Sequence, residues 1–143
     1  MITERQQMFE CLILGDSLAV GIGQVRSECK TQAQSGINSY DYVNRHLYYT
    51  AGNVNAKTVI ISLGSNDTAR VKTYDELVSL RQLVKADRVF WIMPNIKEDK
   101  RQDVLRVAEL FKDQVLDARR YDVSPDKVHP TAKGYKLIAE ATR

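Results

Sequence analysis

The sequence predicts a three-layer α/β/α domain built around a mostly parallel, five-stranded sheet. Two observations predict it: short apolar runs rich in β-branched and aromatic residues alternate with longer amphipathic segments, and Gly or Pro bounds the runs. This alternation is typical of right-handed βαβ crossovers, which place helices on both faces of a parallel sheet. The 143 residues contain no internal repeat and no linker, and a chain of this length can bury one core. We therefore expect a single domain spanning residues 1–143.

Three segments have the composition of strands that are buried on both faces. They are Phe9–Leu14, Thr58–Leu63 and Arg88–Met93, which are compact and rich in β-branched or aromatic side chains. Two further segments, Thr31–Gln34 and Gln114–Ala118, are weaker strand candidates. Together these segments supply the five strands of the predicted sheet.

Helical segments are predicted between and after the strands. They lie near Leu18–Glu28, Ser39–Tyr49, Tyr74–Lys85, Arg101–Lys112 and Ala132–Thr142. The last of these carries an apolar stripe with a period of 3.6 residues, as expected for a helix that packs on a sheet. The helices are long enough to connect neighbouring parallel strands.

The charge balance argues against nucleic acid or a membrane surface as a partner. The chain has 21 basic and 18 acidic residues, a net charge of +3, and no long run of one sign. No stretch of about 18 apolar residues, which a membrane-spanning helix would need, occurs in the sequence. The N-terminal residues lack the apolar centre of a signal peptide, so we expect a cytoplasmic location, with export by another route left open. No pattern in the sequence sets the oligomeric state.

The cysteines and histidines do not form a recognisable metal site. Cys11 and Cys29 lack CxxC spacing, and with His46 and His129 they make no zinc set. We expect no metal and no other cofactor. Cys11 is expected to pack as a small apolar side chain, with pairing to Cys29 left open. His46 is expected to be a structural or surface residue, since no carboxylate accompanies it at motif spacing.

Polar residues follow the predicted strands at the point where each strand ends. Ser17 follows the first strand, Gly36 follows the second, Asn66 follows the third, and His129 lies in the loop after the last crossover. The carboxyl ends of parallel strands meet at one edge of a sheet, where active sites of such folds are found. We therefore expect these four residues to converge.

The types of these residues match the parts of a nucleophilic site. Ser17 is a candidate nucleophile, which needs a base and an orienting carboxylate. Asp126 lies three residues before His129, close enough to hydrogen-bond Nδ1 and leave Nε2 as the base. The backbone N–H groups of Ser17 and Gly36, with the side-chain amide of Asn66, would form an oxyanion hole.

Four motif blocks resemble those of the SGNH (GDSL) hydrolase family, in the family's order. The matching residues are Ser17 within Gly-Asp-Ser-Leu, Gly36, Asn66 within Gly-Ser-Asn-Asp, and His129 within Asp-Lys-Val-His-Pro. The resemblance implies a flavodoxin-like fold, a triad of Ser17, His129 and Asp126, and an oxyanion hole from Ser17, Gly36 and Asn66. It implies activity on esters or thioesters of lipids, small acyl groups or acetylated sugars, usually without metal.

The functional hypothesis is therefore a serine esterase acting through an acyl-enzyme intermediate. The short chain leaves minimal loops around the pocket, which favours short acyl groups, with O-acetyl groups on carbohydrate among the candidate substrates. The alternative is a non-catalytic module of the same fold that binds a carbohydrate or an acyl ligand. Considered singly, Ser17 is also compatible with a helix N-cap and Asn66 with a turn residue.

Asp16, Asp67 and one charged run are expected to have structural roles and no part in catalysis. Asp16 and Asp67 are expected to accept hydrogen bonds from nearby backbone N–H groups, as short carboxylates beside strand ends commonly do. The mixed-charge run Lys97–Asp103 is expected to be a solvated loop that leads into a helix.

Overall fold

The computed structural model describes residues 9–47 and 54–143. Five strands form one sheet in the order β2-β1-β3-β4-β5, and every neighbouring pair is parallel. This is the flavodoxin-like strand order, so the predicted fold class is confirmed. The strands are β1 (Phe9–Gly15), β2 (Lys30–Ala33), β3 (Val54–Ser62), β4 (Val84–Met93) and β5 (Gln114–Asp117).

Helices cover both faces of the sheet. They are α1 (Ser17–Val25), α2 (Ser39–Asp41), α3 (Thr73–Gln82), α4 (Glu98–Phe111) and α5 (Ala132–Ala141), with a π-helical turn at Tyr42–His46 and a 3₁₀ turn at Ala118–Arg120. Residues 48 and 49, at the end of the helix predicted from Ser39, lie outside the described residues. No helix within residues 9–47 and 54–143 is long and apolar enough to cross a membrane.

Each face of the sheet has its own apolar core. Side chains alternate along a strand, so Ile13 of β1 packs beneath α1 and α5, whereas its neighbours Leu12 and Leu14 pack beneath the π-helical turn, α3 and α4. Both faces are buried, which explains why β1 reads as a continuous apolar run. Trp91 of β4 and Tyr42 are the largest side chains that are fully buried, and both lie on the second face.

The boundary between α3 and β4 differs from the prediction. The helix ends at Gln82 and β4 starts at Val84, four residues before the predicted Arg88. The polar residues at the start of β4 resemble the end of an amphipathic helix, but Val84 is aligned with Val54 of β3 in the parallel ladder. Pairing with a distant strand therefore overrides the local pattern.

The prediction of a solvated loop over Lys97–Asp103 is wrong for most of its length. Helix α4 begins at Glu98, and both Lys100 and Arg101 are buried. Arg101 donates to both carboxylate oxygens of Asp117 and to the carbonyl of Pro94. Two charged side chains of the run are buried here because carbonyl and carboxylate oxygens from other segments accept hydrogen bonds from them.

Cys11 and Cys29 form a disulfide, which decides between the two alternatives that the sequence left open. The bond joins the start of β1 to the segment that leads into β2. Beside it lies the buried guanidinium of Arg26, whose Nη1 donates to the carbonyl of Thr142 at 2.9 Å. These contacts lie at the end of β1 opposite to Ser17.

Candidate active site

Ser17 lies in a tight turn between β1 and α1. Gly15 ends the strand with φ +136°, and a Cβ at that position would collide with the carbonyl of Ser62. Asp16 is the N-cap of α1, because its Oδ1 accepts a hydrogen bond from the N–H of Leu18 at 3.1 Å. Ser17 is therefore the first residue of the helix and not its cap, so its hydroxyl is available for another partner.

That partner is His129, and the three residues of the predicted triad form one hydrogen-bonded chain. Ser17 Oγ lies 2.8 Å from His129 Nε2, and His129 Nδ1 lies 2.7 Å from Asp126 Oδ2. With Nδ1–H donating to the carboxylate, Nε2 is left as the acceptor of the serine hydroxyl. This is the geometry that a serine nucleophile and its base require.

Asp126 is held by several donors in the loop between β5 and α5. Its Oδ1 accepts from the backbone N–H groups of Val128 at 2.8 Å and His129 at 2.9 Å. The hydroxyl of Ser124, which the sequence analysis did not single out, lies 2.9 Å from the same oxygen. The hydrogen bond from the His129 ring, reinforced by these donors, holds the pKa of Asp126 well below its usual range. The carboxylate therefore stays charged, and its half-exposed side chain keeps contact with water as well.

The start of α5 fixes the position of the loop that carries His129. Pro130 is buried and bridges to Val123, and the N–H of Thr131 donates to the carbonyl of Asp122. Thr131 then caps α5, with its Oγ1 accepting from the N–H of Gly134 at 3.1 Å. His129 thus lies two residues before the N-cap of a packed helix.

Gly36 lies in the connection between β2 and α2. Its φ of +81° falls in the left-handed region, where glycine is favoured over other residues. A Cβ at this position would meet open space, so the backbone of Gly36 is not covered on that side. Asn38 is the N-cap of α2, with its side chain accepting from the N–H of Asp41 at 2.8 Å.

Asn66 is joined directly to the segment that contains Gly36. Its Nδ2 donates to the carbonyl of Ile37 at 3.0 Å. A side-chain amide has two hydrogens, so one of them remains for another acceptor. The N–H of Ser17 belongs to the first turn of α1, where backbone amides have no acceptor within the helix. The residues predicted for the oxyanion hole therefore include a spare amide hydrogen at Asn66 and an end-of-helix N–H at Ser17.

Asp67 connects the Asn66 turn to two helices. It is buried, and its Oδ1 accepts from the N–H of Ser39 while its Oδ2 accepts from the hydroxyl of Thr73, each at 2.7 Å. The expected bond to a backbone N–H is confirmed. The bond to Thr73 joins a residue six positions away that the sequence analysis did not identify.

Two lysines of the misassigned charged run hold the same loop from the other side. Lys97 Nζ donates to the carbonyl of Asp67 at 2.8 Å, and Lys100 Nζ donates to the carbonyl of Val71 at 3.0 Å. Lys97 has a left-handed φ of 64°. The sequence did not predict these two contacts, because each partner lies about 30 residues away and no local pattern indicates the contact.

Asp16 is the carboxyl group adjacent to Ser17, and it is fully buried. Its Oδ1 accepts from Ser62 Oγ at 3.0 Å as well as from Leu18, so the expected backbone contact is confirmed. Among the described residues, Oδ2 has no hydrogen-bond partner. Burial raises the pKa of Asp16 to about 7.

The described residues hold a group of potential metal ligands in Cys11, Glu28 and Cys29, whose ligand atoms lie within 4.8 Å of one another. Because the two sulfurs are bonded to each other, they are not thiolates that could bind an ion.

Comparison with known proteins gives structural relatives only. No protein-family model and no curated protein matches the sequence. A GDSL-like lipase from Bacteroides thetaiotaomicron has a similar structure, with a TM-score of 0.60 and 16% identity over 91% of this chain and 83% of that chain. The C-terminal catalytic domain of Streptococcus pneumoniae peptidoglycan O-acetyltransferase A, solved with a methylsulfonyl adduct, gives 0.61 and 18% over 93% and 89%. For protein YxiM from Bacillus subtilis the TM-score is 0.61 and the identity is 15%. The similar region spans 95% of this chain but only 55% of YxiM.

At these sequence identities the structural similarity establishes the fold alone. The parallel sheet, its strand order and the likeness to several GDSL-type structures agree with one another. This chain has the fold of the SGNH (GDSL) hydrolases.

Proposed function

We propose that this protein is a serine hydrolase that cleaves carboxylic esters of short acyl groups, with O-acetyl groups on carbohydrate among its candidate substrates. The observation that carries the proposal is the hydrogen-bonded chain from Ser17 Oγ to His129 Nε2 at 2.8 Å and from His129 Nδ1 to Asp126 at 2.7 Å. A hydroxyl needs such a base to become nucleophilic near neutral pH. Its position beyond the carboxyl end of β1 is where open α/β sheets bind their ligands.

The first half of the reaction transfers the acyl group to the enzyme. Ser17 Oγ bonds to the carbonyl carbon as its proton passes to His129 Nε2, and Asp126 stabilises the imidazolium. The negative oxygen of the tetrahedral intermediate accepts hydrogen bonds from the N–H groups of Ser17 and Gly36 and from the amide of Asn66. The bond to the alcohol oxygen then breaks, and His129 returns the proton to the leaving alcohol.

The second half releases the acid. A water molecule gives a proton to His129 and its oxygen bonds to the acyl carbon. When the second tetrahedral intermediate collapses, the bond to Ser17 Oγ breaks and His129 protonates that oxygen. The carboxylic acid leaves, and the triad is restored.

Contacts at the end of β4 hold the loop of His129 in place. Asn95 Nδ2 donates to the carbonyl of Val128 at 2.9 Å, and Arg119 Nε donates to the carbonyl of Asn95 at 3.1 Å. These bonds tie the β4 and β5 ends to the loop of His129. The resemblance of the fold to GDSL-like lipases and to an O-acetyltransferase domain agrees with acyl chemistry in general.

Labelling with a fluorophosphonate probe tests the proposal. We expect one phosphonyl group per chain, attached to Ser17, and no labelling of the Ser17→Ala variant. A series of acetyl, butyryl and longer p-nitrophenyl esters then gives the acyl preference, with the acetyl ester expected to be cleaved fastest. A folded protein that takes up no probe would instead be the non-catalytic binding module.

A further inference from the structure

A groove of about 300 Å³ opens beside Gly36. Residues 34–37 form one wall, and Asp41, Arg45 and His46 form the other. The carbonyl of Ile37 in the first wall accepts the hydrogen bond from Asn66, so the groove begins at the proposed oxyanion hole. A group held in the groove would therefore lie next to the reacting carbonyl.

The lining of the groove is polar and contains both donors and acceptors. It offers the amide of Gln34, the hydroxyl of Ser35, the carboxylate of Asp41 and the guanidinium of Arg45, whereas the apolar side chain of Ile37 is buried. A hydrocarbon acyl chain would bury little apolar surface there. Hydroxyl groups, which donate and accept, would find partners for both functions.

The charges of the groove balance each other. Arg45 Nη1 lies 3.6 Å from Asp41 Oδ1, and the exposed guanidinium is free to turn toward a ligand in the groove. His46 stacks on the buried ring of Tyr42, with 4.9 Å between the ring centroids, and burial lowers the pKa of its imidazole. A carboxylate and a guanidinium that pair with each other leave little net charge in the groove, which favours an uncharged ligand.

The backbone that carries Arg45 and His46 has an uncommon helical conformation. Tyr42–His46 form a π-helical turn, a rare conformation that is frequent at functional sites. Tyr42 fastens the turn to the sheet, because its hydroxyl donates to the carbonyl of Gln32 at 2.6 Å. Arg45 and His46 are thus carried on a segment anchored to β2.

We propose that this groove binds the alcohol portion of the ester as a single uncharged polyhydroxylated ring, and that Asp41 and Arg45 select for it. The inference rests on the proposed ester hydrolysis, since it assigns the part of the substrate that leaves. A volume of about 300 Å³ lies at the lower end of the range for ligand pockets, which suits one sugar ring and not an oligomer.

Two acetyl esters that differ only in the alcohol test the assignment: a monoacetate of methyl glucoside, and cyclohexyl acetate, whose ring lacks hydroxyls. We expect kcat/KM of the wild type to favour the sugar ester by about tenfold or more, since several hydrogen bonds are made to the hydroxyls. Arg45→Gln and Asp41→Asn should each reduce this ratio by about tenfold. A ratio near one in the wild type, or one that neither substitution changes, would overturn the inference.

Arg106→Gln is the matched control. Arg106 is also an exposed arginine paired with a carboxylate on its own helix, Asp103, at 3.3 Å, but it lies on α4 outside the groove. We expect this variant to keep the wild-type ratio of the two esters. A loss equal to that of Arg45→Gln would mean that general charge, and not the groove, selects the substrate.

A binding measurement separates failure of this inference from failure of the proposed function. Methyl glucoside is titrated into the Ser17→Ala variant while the backbone amide resonances are followed by NMR. Shifts confined to residues 34–46 and their neighbours would support the sugar site even if no ester is cleaved. If saturating methyl glucoside produces no shifts in these residues, the sugar site is excluded. If the wild type is not labelled by the fluorophosphonate probe, only the proposed function is contradicted.

Discussion

Two carboxyl groups flank the candidate nucleophile in opposite environments. Asp126, in the loop between β5 and α5, has a side chain that is 51% exposed, whereas Asp16, in the turn between β1 and α1, is 0% exposed. The pKa of Asp126 is lowered by hydrogen bonds, and that of Asp16 is raised to about 7 by burial. Asp126 uses both oxygens as acceptors, but Asp16 uses only Oδ1 within the described residues.

The difference shows that burial outweighs hydrogen bonding near Ser17: the pKa of Asp16 is raised although Ser62 and Leu18 donate to it, whereas Asp126 keeps both its donors and its contact with water. Asp126 is surrounded by N–H groups that favour the ionised form, so it can stabilise a histidine cation. Asp16 is placed where it fixes the geometry of the Ser17 turn, and its charge is penalised there. We therefore expect substitutions in the two regions to change different properties.

The largest effect on activity is expected at Ser17 and His129, the hydrogen-bonded pair that lies between these two carboxyl groups. Ser17→Ala and His129→Ala should each lower kcat by a factor on the order of 10⁶, because the nucleophile and its base act as a unit. Steady-state hydrolysis of p-nitrophenyl acetate measures this. Ser79→Ala, an exposed serine on α3, is the control and should retain full activity. Residual activity of either triad variant near the wild-type level would refute the proposed mechanism.

Replacing the exposed carboxylate should reduce activity without unfolding the protein. Asp126→Asn should lower kcat by about 10⁴-fold, since the imidazole loses its orienting anion. The lowered pKa of Asp126 also means that the carboxylate remains charged in mild acid. The ionisation of Asp126 should therefore not contribute to a fall of kcat/KM in mild acid. A loss of kcat of less than about tenfold in Asp126→Asn would contradict the orienting role.

Replacing the buried carboxyl should change stability instead. The raised pKa means that native Asp16 keeps its proton between pH 3.8 and about 7, while the unfolded chain loses it. The contribution of Asp16 to the free energy of unfolding is therefore full below pH 3.8 and is lost as pH rises through 7, by an amount on the order of 4 kcal/mol.

Asp16→Asn removes this titration but keeps an oxygen for the N–H of Leu18. Urea unfolding between pH 4 and pH 7.5 should show the variant gaining stability relative to the wild type as pH rises. Parallel pH profiles for the two proteins would exclude a protonated Asp16 in the native state.

Replacing Asn66, a proposed donor to the oxyanion, should have a smaller effect on activity. Asn66→Ala should lower kcat by about 10²- to 10³-fold, the usual result of removing one donor to the oxyanion. Gln102→Ala is the control, because Gln102 is exposed on α4 and its side-chain amide donates to Glu98 on the surface. A change in KM alone would assign Asn66 to substrate binding instead.

The smallest effect on activity is expected at the disulfide. Its sequence separation of 18 residues predicts a loss of about 3 kcal/mol in the free energy of unfolding on reduction. Cys11 lies at the far end of β1 from Ser17, so kcat should change little in the double variant Cys11→Ala, Cys29→Ala. Disulfides are rare in reducing compartments, so thiol titration of protein from its own cell tests the expected cytoplasmic location.

The parts of the site that local spacing defines were predictable. Asp126 and His129 lie within one turn, and Ser17 follows an apolar strand, so residue type and position together indicated a triad. Contacts between distant segments were not predictable. Nothing near Lys97 or Lys100 indicates that their ammonium groups support the Asn66 loop, and their charges suggested a solvated loop.

The sequence by itself determined the fold class and indicated the candidate reacting groups, because hydrophobic periodicity and strand-end placement are local signals. The tertiary structure alone decided that Cys11 pairs with Cys29, that Asp67 joins two helices, and that a polar groove adjoins Gly36. The physical reason is that these features depend on the relative placement of segments far apart in the chain. That placement is set by packing on the two faces of the sheet, which no single stretch of residues encodes.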